Sequence, residues 1–79
     1  MDIGVEMVVA VSVEALTEDE AISLALVTQL GTDPRRVRGY EKVKHLYTQN
    51  PSDGSVAMHD LTREAFLRAL VRRVPALAG

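Results

Sequence analysis

From Ile3 to Val13 every odd position is apolar, while the even positions Gly4, Glu6, Val8, Ala10 and Ser12 are mixed and partly polar. A period of two predicts a β-strand over 3–13 with one strongly buried side. The valine content supports strand over helix, because β-branched side chains are stiff in a helix and pack well on a pleated surface. Such a strand needs a partner for its backbone donors and acceptors.

Thr17-Glu18-Asp19-Glu20 reads as a capping box, with the Thr17 hydroxyl and the Glu20 side chain each satisfying the other's backbone amide. Ile22, Leu24, Ala25, Leu26, Val27 and Leu30 follow and Gly31 supplies a stop, which predicts a helix over 17–30. Asp33-Pro34 opens the next element as N-cap and first helical residue. Val37, Tyr40, Val43, Leu46 and Tyr47 then recur at spacings of three and four, predicting an amphipathic helix over 34–48 that is weakened by Gly39. The alternative reads 41–49 as a strand, since Val43, His45 and Tyr47 alternate with Lys42 and Lys44, although Leu46 breaks the pattern.

Asn50-Pro51-Ser52-Asp53-Gly54 is the strongest turn in the chain. After it, Val56 and Met58 suggest a short strand at 55–59, and Leu61, Ala65, Phe66, Leu70, Val71 and Val74 mark a last helix from Asp60 or Thr62 to Arg73, ended by Pro75. The expected fold is therefore α+β, one small domain over 1–79 in the order β-α-α-β-α, with 3–13 paired to 55–59 and three helices on a small sheet. The alternative is a ferredoxin-like β-α-β-β-α order, with Asn50–Gly54 as its hairpin turn.

Charge changes this picture. Residues 1–33 hold seven acids and no base, whereas residues 34–79 hold nine bases against four acids, so the net charge of −2 conceals a dipolar chain. The split must be neutralised within one fold, between copies, or by separate partners. An apolar fraction of 47% and a charged fraction of 25% suit an ordinary globule, and the absence of cysteine excludes disulfides and thiol chemistry. The acidic start Met-Asp is unlike a secretory leader and no apolar run reaches the roughly 20 residues of a membrane span, so a cytoplasmic location is expected. The initial methionine and the proline after the last helix lead to the expectation of a complete chain.

Catalytic constellations are scarce. His45 and His59 sit beside no carboxylate at a metal-binding or acid–base spacing, the serines lack a nucleophile elbow, and the glycines form no phosphate-cradling loop. The chain is expected to be no enzyme and to carry no metal and no cofactor.

Leu30-Gly31-Thr32-Asp33-Pro34-Arg35-Arg36-Val37 resembles the turn of the helix-turn-helix DNA-binding motif. The resemblance extends over 23–44 and implies a recognition helix from Pro34 that presents Arg35, Arg36, Arg38, Lys42 and Lys44 to phosphates or guanine edges. Val27 and Thr32 depart from the motif's usual small and apolar residues. The plainer reading, that these residues end one helix and cap another, is preferred.

The function expected is a non-enzymatic protein–protein interaction or assembly module that associates with itself. Glu14, Glu18, Asp19 and Glu20 form its acidic contact face, and Arg35, Arg36, Arg38, Lys42 and Lys44 its basic one. DNA binding is the alternative, and a ligand-sensing domain is a third reading tied to the ferredoxin-like order. No membrane partner is expected, since the last helix has a basic face but no large interfacial aromatics.

Overall fold

Residue 3 begins a helix, not a strand. The computed structural model describes residues 3–78, so Met1, Asp2 and Gly79 lie outside the described residues. Helix α1 runs Ile3–Glu14. Val9 and Val13 are 1% exposed and Leu16 is 2% exposed. With half-buried Val5, these residues are separated by four, four and three positions, a helical stripe. The period of two was real but not diagnostic, because the even positions Gly4, Val8 and Ala10 are nonpolar as well. An apolar run of this length satisfies both periodicities. A helix also satisfies its own backbone groups, which a strand here could not.

Helix α2 spans Glu18–Leu30 and follows the local signals closely. Thr17 Oγ1 accepts from the Glu20 amide at 3.2 Å, and the Thr17 amide donates to Glu20 Oε1 at 2.9 Å. Gly31 closes the helix in the left-handed conformation at φ 71°, and its amide donates to the Val27 carbonyl.

The expected helix over 34–48 is broken into pieces. Pro34–Arg36 form one 3-10 turn behind the Asp33 cap, Val37 is extended, α3 covers only Tyr40–Val43, and Lys44–Leu46 form a second 3-10 turn. Continuity is lost at Val37, which is extended at ψ 136°, while Gly39 keeps helical angles and marks a close approach to α2. A Cβ there would lie 3.0 Å from Glu20 Cβ, 3.0 Å from Leu24 Cδ1 and 3.1 Å from Leu16 Cδ2. The chain presses its backbone onto α2 at this point, so only glycine fits there without displacing a neighbour.

Strand β1 (Thr48–Gln49) pairs antiparallel with β2 (Val56–Ala57), Thr48 opposite Ala57 and Gln49 opposite Val56. The turn Asn50–Gly54 joins them: Asn50 Oδ1 accepts from the Ser52 amide and Asp53 Oδ1 from the Ser55 amide, each at 2.9 Å. The strand expected at 55–59 thus pairs with 48–49 and not with 3–13. Helix α4 (Asp60–Arg73) carries Phe66 and Leu70, both 0% exposed, into the center of the core. A closing 3-10 turn spans Pro75–Ala78.

The whole is a small, compact, mostly helical fold with a two-stranded antiparallel sheet, consistent with the α+β class. Its radius of gyration of 11.8 Å is close to the roughly 11.6 Å expected of a folded chain this long. The described order is α-α-α-β-β-α, which corrects both orders expected from the sequence. Helices α1, α2 and α4 bury Val9, Leu24 and Phe66 together, joined by Val43 from α3.

Candidate interaction surface

The opposed charges meet within one copy. Lys42 Nζ lies 2.8 Å from Glu20 Oε1, joining the basic segment to the acidic start of α2. Glu20 therefore serves two roles, and hydrogen bonding by the Lys42 ammonium and then by the Thr17 amide holds its carboxyl below the usual range. Arg68 of α4 pairs with Glu6 of α1 in the same manner. With Arg35 on Asp33, three of the nine cations thus neutralise acids of the acidic half within one copy.

Other expected contact residues are occupied locally. Arg35 reaches back to Asp33 Oδ2 at 2.9 Å and also donates to the Gly54 carbonyl at 3.2 Å. The Arg35 side chain, and then its backbone amide, lower the Asp33 carboxyl to about 2. Lys44 Nζ lies 3.2 Å from Glu41 Oε2. Arg36 and Arg38 form no ion pair among the described residues, but they share an open cleft with Asp19 and Glu20. Parts of the acidic and basic faces are therefore neighbours on one surface. Glu14 and Glu18 are exposed.

The turn that resembles a helix-turn-helix has the expected residues in place, with Gly31 left-handed and Asp33 capping a turn that begins at Pro34. The long recognition helix does not follow. Arg35, Arg36, Arg38, Lys42 and Lys44 are spread over a 3-10 turn, an extended link, α3 and a second 3-10 turn, and do not line one helical face.

The most distinctive surface is one the charge pattern concealed. On the side of α1 away from the core, Met7 is 62% exposed, Val8 50% and Val11 70%. Gly4 and Ala15 are exposed as well. Positions 4, 8, 11 and 15 follow one another by four, three and four, so they form a continuous apolar stripe along the helix. Reading 3–13 as a helix would have found it. Helix α1 is apolar at all but Glu6, Ser12 and Glu14, with mean hydropathy far above that of α4.

Lys42 and His45 flank this stripe on one side, lining a shallow apolar groove with Met7, Val8 and Val11. His45 Nε2 lies 2.7 Å from Ser12 Oγ, and Ser12 Oγ donates to the Val8 carbonyl at 2.8 Å. A hydroxyl has one proton, so Ser12 accepts from His45 and the ring nitrogen is the donor. This contact fastens the segment after α3 to α1. Ser12 and Glu14 lie about 200° apart around the helix, so Glu14 bounds the opposite edge of the stripe.

Among the described residues, no group of three histidine, aspartate or glutamate side chains could hold a metal ion, and no helix is long and apolar enough to cross a membrane. Comparison with known proteins gives no match to a family model, a curated protein or a solved structure.

Proposed function

We propose that this chain is a non-enzymatic protein–protein interaction and assembly module that associates with itself through the outward face of α1. The observation that carries this reading is the contiguous exposed stripe of Gly4, Met7, Val8 and Val11 on α1, continued by Ala15 just past its end. A contiguous exposed apolar surface bounded by polar residues is characteristic of an association site. A small domain also gains from further burial, because it covers only about 60% of its unfolded surface by itself.

A second copy fits the edges of the stripe. In a parallel pair related by a two-fold axis along α1, each edge faces the opposite edge of the partner. Glu14 of one copy then approaches Lys42 and His45 of the other. In an antiparallel pair like edges meet and the helix ends reverse, which carries Glu14 of each copy away from Lys42 and His45 of the other. Charge complementarity therefore selects the parallel arrangement. The self-association expected from the sequence is kept, with its driving force moved from the charged halves to the apolar seam, since Glu20 and Lys42 are already paired within one copy.

Sedimentation equilibrium over a range of protein and salt concentrations tests this. A concentration-dependent dimer that persists at high salt supports an apolar seam. A monomer throughout excludes self-association, and a dimer that dissolves with salt returns the contact to the charged faces.

A further inference from the structure

The contact between His45 and Ser12 fixes the chemistry of one edge of the α1 stripe. The single proton of the Ser12 hydroxyl goes to the Val8 carbonyl, so His45 Nε2 carries the proton that bridges to Ser12 at 2.7 Å. In the neutral ring the other nitrogen, Nδ1, is then a bare acceptor. Only the imidazolium makes it a donor. His45 is exposed, so its ring exchanges protons with solvent.

The charged groups around this ring are already engaged. Lys42 lines the same groove, but its ammonium is held by Glu20 at 2.8 Å. Glu41 and Lys44, neighbours along the chain, pair with each other at 3.2 Å. Tyr47 and Thr48 of the hairpin, with His59 and Thr62 at the start of α4, share a second recess with His45. His59 is the one other imidazole in the chain and calls for a control.

Glu14 complements this edge. It is exposed and forms no ion pair among the described residues. It stands two residues beyond Ser12, about 3 Å along the helix axis. In the parallel pair, opposite edges face each other at equal height. Glu14 of each copy therefore comes level with the Ser12–His45 contact of the other, twice per dimer. A carboxylate only accepts hydrogen bonds, so against a bare Nδ1 it faces another acceptor. Against the imidazolium it meets a donor of opposite charge.

We propose that self-association through α1 is tightened by protonation of His45, whose imidazolium pairs with Glu14 of the second copy. This regulation rests on the reading of α1 as the association face. The apolar seam supplies most of the affinity, and the His45–Glu14 pair supplies its pH dependence. Dimer formation takes up protons, which fixes the sign. Association strengthens as pH falls through the range in which histidine gains charge, and weakens again where carboxylates protonate, near about pH 4.

The dimer Kd, measured by sedimentation equilibrium at fixed ionic strength between about pH 8 and about pH 5, tests the proposal. It is expected to fall about threefold to tenfold from about pH 8 to about pH 6, as two exposed charge pairs per dimer imply. His45→Gln, whose side-chain amide can still donate to Ser12, is expected to dimerise with a Kd indifferent to pH. Glu14→Gln alters only an exposed residue and is expected to flatten the profile in the same way. His59→Gln is expected to leave it intact. An unsubstituted dimer whose Kd does not change with pH overturns the coupling and leaves the apolar seam standing. A pH dependence that survives Glu14→Gln or His45→Gln, or that disappears in His59→Gln, overturns it as well. A monomer at every pH overturns both the coupling and the α1 face on which it rests.

Discussion

Lys42 Nζ and Glu20 Oε1 stand 2.8 Å apart across 22 residues of sequence, and the same carboxylate oxygen accepts from the Thr17 amide that starts α2. One side chain thus caps a helix and anchors the segment that crosses it. The Lys42 and Thr17 hydrogen bonds lower the Glu20 carboxyl relative to the unfolded chain. Its contribution is therefore complete above the ordinary carboxylate range and is lost as pH falls through the lowered value. Glu20→Gln is expected to lower the melting temperature at neutral pH and to have less effect at strongly acidic pH, measured by circular dichroism. Thr17→Ala removes the other half of the capping box and is expected to cost about 1 kcal/mol.

Gly39→Ala separates two accounts of the middle of the chain. In a continuous helix over 34–48, alanine would stabilise by about 1 kcal/mol. In this fold the added methyl meets Glu20, Leu24 and Leu16 at 3.0–3.1 Å, so destabilisation of about 1–3 kcal/mol is expected from overpacking. The sign of the change in chemical denaturation decides between them.

Tyr47 supplies the alkaline counterpart. Burial pushes its phenol up to about 12 from the usual 10.0. A raised acid group favours the fold while it stays protonated, so stability is complete below about pH 10 and falls as pH rises from there through about 12. Tyr47→Phe is expected to remove the Tyr47 contribution to this decline. At neutral pH it is expected to change stability by no more than about 1 kcal/mol, since the buried hydroxyl it deletes meets only Thr28. Urea titrations at a series of pH values check both.

Phe66 is the largest fully buried side chain. Phe66→Ala is expected to cost about 3–5 kcal/mol, a large share of the roughly 5–15 kcal/mol that holds a typical domain together. Loss of amide dispersion in an NMR spectrum would report the resulting unfolding.

Punctuation was legible in the sequence wherever its chemistry was local. Thr17 with Glu20, Gly31, Asp33 with Pro34, the Asn50–Gly54 turn and Pro75 all act on atoms within a few residues, and each does what its type implies. The two misread elements were decided elsewhere in the fold. Val8 and Ala10 left residues 3–13 open to either period, and packing of Val9 and Val13 against α4 chose the helix. Gly39 looked like a defect in a helix because the side chains it meets, Leu16 and Leu24, are distant in sequence. The same limit applied to the contact surface. Arg35 and Lys42 were recognisable as cations, but their pairing with Asp33 and Glu20 depends on where the chain turns. The Met7–Val11 stripe could emerge only once 3–13 was helical.

The most direct test of self-association through α1 is an isotope-filtered NMR experiment on a mixture of labelled and unlabelled protein, which detects only contacts between copies. Cross-peaks are expected from the methyl groups of Val8 and Val11 to the same residues of the partner, with their loss in Val11→Glu without unfolding. Intermolecular cross-peaks confined to other surfaces, or a protein that stays monomeric and shows none at any attainable concentration, would contradict it.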